Sequence, residues 1–147
     1  MGFKSVSIYV TANEDLLVLS RGISKKWGGF IMDLERHRFL ERGFTDDMLE
    51  TCVLEAFDDW NTIEPAEELK PTAIEKILHI KGYVKAVKHM SYICVEWDSD
   101  EGYKIIPTKN NGKKGFVHLE NEAVNIGDTV RDGNLAHAIR TAIIKSK

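Results

Sequence analysis

Polar and apolar residues alternate in SVSIYV, residues 5–10, so Val6, Ile8 and Val10 share one face of an extended segment. A second apolar run, Leu16 to Leu19, follows the turn-rich TANED, and the two together predict a β-hairpin. A loop with Gly22, Gly28 and Gly29 leads to GFIMDLE, a third short strand from about Gly29 to Leu34. The period then changes. From Thr45 to Trp60, the residues Met48, Leu49, Cys52, Val53, Ala56, Phe57 and Trp60 recur at the spacing of one helical face. Thr45 suits the N-cap, and Asp46 and Asp47 in the first turn suit the positive end of the helix dipole. Pro65 marks the end of this unit.

The second half repeats the order. SYICVEW and YKII flank the turn DSDEG, GFVHLE echoes GFIMDLE, and the helix NLAHAIRTAIIK follows. A constant offset pairs Leu49 with Leu135, Cys52 with Ala138, Val53 with Ile139, Ala56 with Ala142 and Phe57 with Ile143; upstream, Phe30 matches Phe116 and Ile8 matches Ile93. Amphipathic helices match one another in part whatever their origin, so the shared element order carries more weight than the helix alignment. The expectation is one domain over residues 1–147, with ββ-β-α halves at about 1–68 and 88–147. A helical connector at about 69–90 holds Ile74, Ile77, Leu78, Tyr83, Val84 and Val87, as one helix or as two short ones joined at Gly82. Neither half has enough apolar surface to stand alone, so the fold class is α+β: the halves share a mostly antiparallel sheet covered by helices.

The chain has 147 residues and is 43% hydrophobic, enough to bury a core without disulfides or metal. Cys52 and Cys94 lie in apolar-periodic segments with no CxxC spacing and read as reduced core residues. No stretch is apolar enough to span a bilayer, and the start lacks the layout of a signal peptide. Met1-Gly2 begins a myristoylation pattern that fails at Val6, where Ser or Thr is needed. A cytoplasmic protein without membrane contact is expected.

Charge alters the picture more. Between Arg42 and Lys70 stand nine acids, Asp46, Asp47, Glu50, Glu55, Asp58, Asp59, Glu64, Glu67 and Glu68, and no Lys or Arg. The whole chain has a net charge of −3, so without those nine acids the remainder stands at +6. As a metal site the acids would have to converge on one ion, whereas at a hundred degrees per residue Asp47, Glu50, Glu55, Asp58 and Asp59 fan across about half the helix circumference. A solvated face is the plainer reading, although such faces usually mix signs. Leu54 sits inside the polar arc, and an apolar side chain ringed by charge has the form of an interface anchor with an electrostatic rim.

Other chemistry is weakly marked. PTKNNGKKGF has the glycine and lysines of a phosphate loop but neither the GK[ST] ending nor its strand-to-helix context. Asn111-Gly112 instead reads as a tight hairpin turn with φ positive at both residues. With no aromatic residues interleaved and a negative net charge, no direct nucleic-acid contact is expected. His37, His79, His89, His118 and His137 show no HExxH or HxH spacing, GxSxG is absent, and Cys52 faces inward. No catalytic residues, metal ligands or cofactor site are assigned.

Taken with this organisation, the chain resembles the CdiI immunity proteins of bacterial contact-dependent growth inhibition. The resemblance is strongest over SYICVEWDSDEGYKIIPTKNNGKKGF, residues 91–116, and extends through the SRGIS loop and the LETCVLEAF helix of the first half. It implies a non-enzymatic cytosolic protein that binds the C-terminal toxin domain of a cognate CdiA effector. Many such toxins are nucleases, whose surfaces are basic because they hold phosphate backbones. A concentrated acidic face would meet such a surface and speed its capture. The candidate toxin contacts are Asp47, Glu50, Leu54, Glu55, Asp58 and Asp59. The alternatives are an antitoxin-like or regulatory adaptor and, behind it, a small metal-dependent hydrolase or nuclease.

Overall fold

The computed structural model describes residues 2–65 and 70–147. Strands β1 (Phe3–Val10), β2 (Leu16–Ser24) and β3 (Phe30–Leu40) lead into helix α1 (Asp46–Asp58). Two short helices, α2 (Ala73–Leu78) and α3 (Tyr83–Ala86), precede β4 (Ser91–Asp98), β5 (Gly102–Asn110), β6 (Phe116–His118), β7 (Val124–Gly127) and α4 (Asn134–Lys145). All pairings are antiparallel, in the order β3-β2-β1-β4-β5-β6, with β7 also on β5.

The order reads as two meanders placed back to back. β1 and β4 meet in the middle, where Ile8 lies opposite Ile93. On one flank β3 pairs with β2 in two stretches: Phe30–Asp33 against Arg21–Ser24, then His37–Leu40 against Leu16–Leu19, with an irregularity between Leu19 and Arg21. On the other flank the same two places are filled by separate strands, β6 against Thr108–Asn110 and β7 against Tyr103–Ile105. A 3-10 turn at Glu120–Glu122 divides them. The third strand is therefore longer than the sequence predicts in the first half and broken in the second.

Helices α1 and α4 cover one face of the sheet. Leu49 and Leu135 are both 0% exposed, and Cys52 with Ala138, Val53 with Ile139 and Ala56 with Ala142 are buried in the same core as Val6, Ile8, Ile93 and Val95. Each large aliphatic side chain taken out of water contributes about 1.5–3 kcal/mol. Thr45 is the N-cap of α1, its hydroxyl accepting the Met48 N–H at 3.2 Å. Met48 itself, expected on the inner face, is 50% exposed.

The opposite face is covered by the connector. Ile74 and Val87 pack on Tyr9, Leu17, Leu19, Tyr92, Cys94 and Ile106. The connector breaks at Gly82, whose φ of 100° suits glycine, and Glu75 ties the two pieces together. Its Oε1 accepts the Thr72 N–H at 3.2 Å and its Oε2 the Gly82 N–H at 3.0 Å. Burial pushes the Glu75 carboxyl up, but these donors outweigh burial and hold it below the usual carboxylate range.

After α1 the chain returns to this second face where β1 parts from β2. The ladder between them begins at Val6 and Ser20, and beyond it Asn61 takes the place of β1: its N–H donates to Arg21 O at 2.9 Å and its Oδ1 accepts the Ile23 N–H at 3.0 Å. A side chain at Gly22 would press on Asn61, with Oδ1 at 3.1 Å and Cα at 3.3 Å from a Cβ there. The turn at Asn111-Gly112 also differs from expectation. Asn111 has φ −100°, and Gly112–Lys114 form one 3-10 turn, so the hairpin closes through a wider loop than a two-residue turn. The turn is exposed.

Candidate functional site

The outer face of α1 carries the acids singled out in the sequence, but folding leaves them unequal. Glu55 lies 3.4 Å from the Arg38 Nε, and Asp59 lies 3.4 Å from Arg38 Nη2 and 3.9 Å from Arg36 Nη1. Both arginines come from β3, which runs beside the helix, so cations distant in sequence offset part of the repulsion that the acidic run implies. Asp46 pairs with Arg140 of α4 at 2.7 Å. Glu50 points at the start of α4, where its Oε2 accepts the Ala136 N–H at 2.9 Å. The N-cap residue of α4 is Gly133, which offers no side-chain acceptor, and Glu50 supplies the missing one from the neighbouring helix.

Asp47 and Asp58 remain exposed and form no ion pair among the described residues. Leu54 is half-buried and packs against the core cluster. It lines a shallow depression with Lys4, Phe57, Asp58, Trp97, Tyr103 and Asp128. The face therefore presents two free carboxylates, Asp47 and Asp58, a hollow of mixed apolar and charged lining beside Asp58, and a rim of carboxylates already held by arginine. Glu67 and Glu68 lie outside the described residues.

A second site was hidden in the strand alternation. Ser5, Ser7 and Tyr9 form the polar side of β1, and the structure buries them under the connector. Across from them Arg21 of β2 faces Asp33 of β3, with Nε 3.0 Å from Oδ1. That contact is off the hydrogen-bonding line and acts as an ion pair; the other guanidinium nitrogens donate to Ser5 Oγ at 3.2 Å and Ile31 O at 3.3 Å. Asp33 accepts the Ser7 hydroxyl on one oxygen and the Tyr9 hydroxyl on the other, both at 2.6 Å. Tyr92 joins through Ser7 at 2.6 Å.

This network floors a cavity of about 610 Å³, with Phe30, Ile31, Met32 and Ile63 on one side and Tyr83 and Phe116 on the other. Phe30, at 66% exposure, stands at its rim. Burial pushes the Tyr9 and Tyr92 hydroxyls well above the ordinary phenol value and the Cys94 thiol up to about 11. Groups held protonated in this way donate hydrogen bonds and are poor nucleophiles, so the network suits stability and recognition. The one signal in the sequence was the serine and tyrosine side of the β1 alternation, which reads as a solvent face until the connector is seen to cover it.

No protein-family model matches the chain, and no curated protein matches it. Solved structures do. A protein of unknown function from Neisseria meningitidis superposes with a TM-score of 0.75 at 10% identity, over 99% of this chain and 96% of that one. A chain of the CdiA-CT/CdiI toxin and immunity complex from Yersinia pseudotuberculosis superposes with a TM-score of 0.73 at 13% identity, over 100% of this chain and 99% of that one. At these identities the likeness is one of fold, and it extends over the whole chain.

Proposed function

We propose that the chain is an immunity protein of contact-dependent growth inhibition, which binds and neutralises the C-terminal toxin domain of a cognate CdiA-type effector in the cytoplasm. The observation that carries this reading is the end-to-end likeness of fold to a chain of a toxin and immunity complex, covering nearly all of both chains. The toxin domain is a nuclease with a basic surface, and the chain meets it through the outer face of α1. There Asp47 and Asp58 supply free negative charge, Leu54 with the aromatic side chains of its hollow supplies the apolar centre, and Glu50, Glu55 and Asp59 form a rim held in place by their internal partners. In this role the chain acts by binding and carries out no chemistry of its own.

The test is protection. Cells induced to make the C-terminal toxin domain of the cognate CdiA-type effector should stop growing, and co-expression of the chain should restore growth. Growth arrest that the chain does not relieve would count against the proposal.

A further inference from the structure

One end of the molecule is as rich in cations as the outer face of α1 is in acids. α3 and the residues after it bring Lys85, Lys88 and His89; the end of β5 and the turn beyond it bring Lys109, Lys113 and Lys114, and all six are exposed. Asn110 fastens the two segments together, its Nδ2 donating to Val87 O at 3.2 Å and Met90 O at 3.1 Å while its Oδ1 accepts the Gly112 N–H at 3.0 Å. An open groove of about 940 Å³ lies here, with Lys85, Lys88 and His89 on one wall and Asn110 and Gly112 on the other.

Two features separate this end from an ordinary solvated face. Residues 79–91 and 102–119 contain no Asp or Glu at all, in a chain whose net charge is −3. None of the five lysines forms an ion pair among the described residues, whereas Arg21, Arg38, Lys76, Lys104 and Arg140 all do. Lys85, Lys88 and Lys147 line the groove, and Lys113 and Lys114 follow Gly112 at its edge. Lysines gathered in this way without Asp or Glu partners favour a ligand that brings repeated negative charge, as a phosphate backbone does. In sequence no aromatic residue is interleaved among the lysines of residues 109–114. Folding supplies one: Tyr83 lines the same groove, with Val84 and Met90 beside it. A cationic groove with an aromatic and apolar ledge has the character of a single-strand site, where the backbone follows the charge and bases rest on the ledge.

We infer that this groove binds single-stranded nucleic acid through its phosphate backbone. The inference is independent of the toxin-binding reading and uses the opposite sign of charge.

The experiment is fluorescence anisotropy of the purified chain with a labelled 20-nucleotide single strand, as RNA and as DNA, and with the corresponding duplex, from 50 to 300 mM KCl. Saturable binding of the single strand, tighter than that of the duplex, is expected. With about four phosphate contacts, the slope of log K against log salt should be roughly −3. Replacing Lys85, Lys88, Lys113 and Lys114 together by Gln should weaken binding at least tenfold and flatten the slope. Replacing Lys25 and Lys26 by Gln should change neither. All these side chains are exposed, and thermal melts would confirm that the variants fold. No saturable binding at 50 mM KCl, equal loss in the two variants, or equal competition by poly-glutamate at matched charge would each overturn the inference, the last assigning the groove to an acidic protein.

Discussion

The carboxylate of Glu50 on α1 accepts the backbone N–H of Ala136, the third residue of α4, at 2.9 Å. One helix thus caps the other, and the two equivalent helices of the halves are joined by more than apolar packing. Losing an N-cap acceptor costs about 0.5–2 kcal/mol. Glu50→Ala should therefore lower stability by about 1 kcal/mol in chemical denaturation, and Glu50→Gln, which keeps an acceptor oxygen, by less.

The Arg21–Asp33 pair predicts a larger effect. Removing one partner of a buried ion pair leaves an uncompensated charge and costs about 3–5 kcal/mol. The Arg21 and Asp33 side chains keep 19% and 15% exposure, so Asp33→Ala should cost less than that, about 2–3 kcal/mol, including the stranded Ser7 and Tyr9 hydroxyls. Asp33→Ala combined with Arg21→Leu should recover part of the loss, because the orphaned charge is gone. Denaturation of the two single variants and the double variant would measure this coupling.

Stability should depend on pH on the alkaline side. Burial pushes the Cys94 and Cys52 thiols from 9.0 up to about 11 and the Tyr83 hydroxyl from 10.0 up to about 12. These folded-state values are raised, so the unfolded chain loses its protons first as pH rises. The contribution is complete below about pH 9 and is lost as pH rises through 9 to 11 for the thiols and 10 to 12 for Tyr83. Thermal melts under reducing conditions should hold level up to pH 9 and then fall, and the fall should begin later in a variant with both cysteines replaced by Ala.

On the outer face of α1, charge and contact should separate kinetically. Asp47→Lys with Asp58→Lys breaks no ion pair, so folding should survive, while association with the toxin domain should slow several-fold and become less sensitive to salt. Leu54→Asp should act mainly by speeding dissociation, after its own folding is checked, because Leu54 also touches the core. Reversing Glu55 and Asp59 would be a poorer probe, since it also breaks their contacts with Arg38 and Arg36.

Much of the fold is legible in the sequence because the signals are local. Alternation in β1, the helical spacing of Leu49, Val53, Leu135 and Ile139 and the repeated element order place the hairpins, the helices and the duplicated plan. What is not legible depends on pairing between distant segments. Arg36 and Arg38 look unrelated to the acidic run until β3 is laid beside α1, and Glu50 looks like a surface acid until α4 starts within its reach. The polar side of β1 looks solvent-facing because nothing local shows that α2 and α3 close over it. The cationic groove is divided in the sequence between α3 and a turn some twenty residues later.

The central claim is that this chain captures a toxin, and titration calorimetry tests it most directly. The purified chain would be titrated with the C-terminal domain of the cognate CdiA-type effector, that domain having been made inactive by substitution. A saturating one-to-one complex of nanomolar or tighter affinity, together with stoichiometric loss of activity when the intact toxin domain is used, is the result predicted. No heat and no loss of toxin activity at micromolar concentrations of both proteins would contradict it.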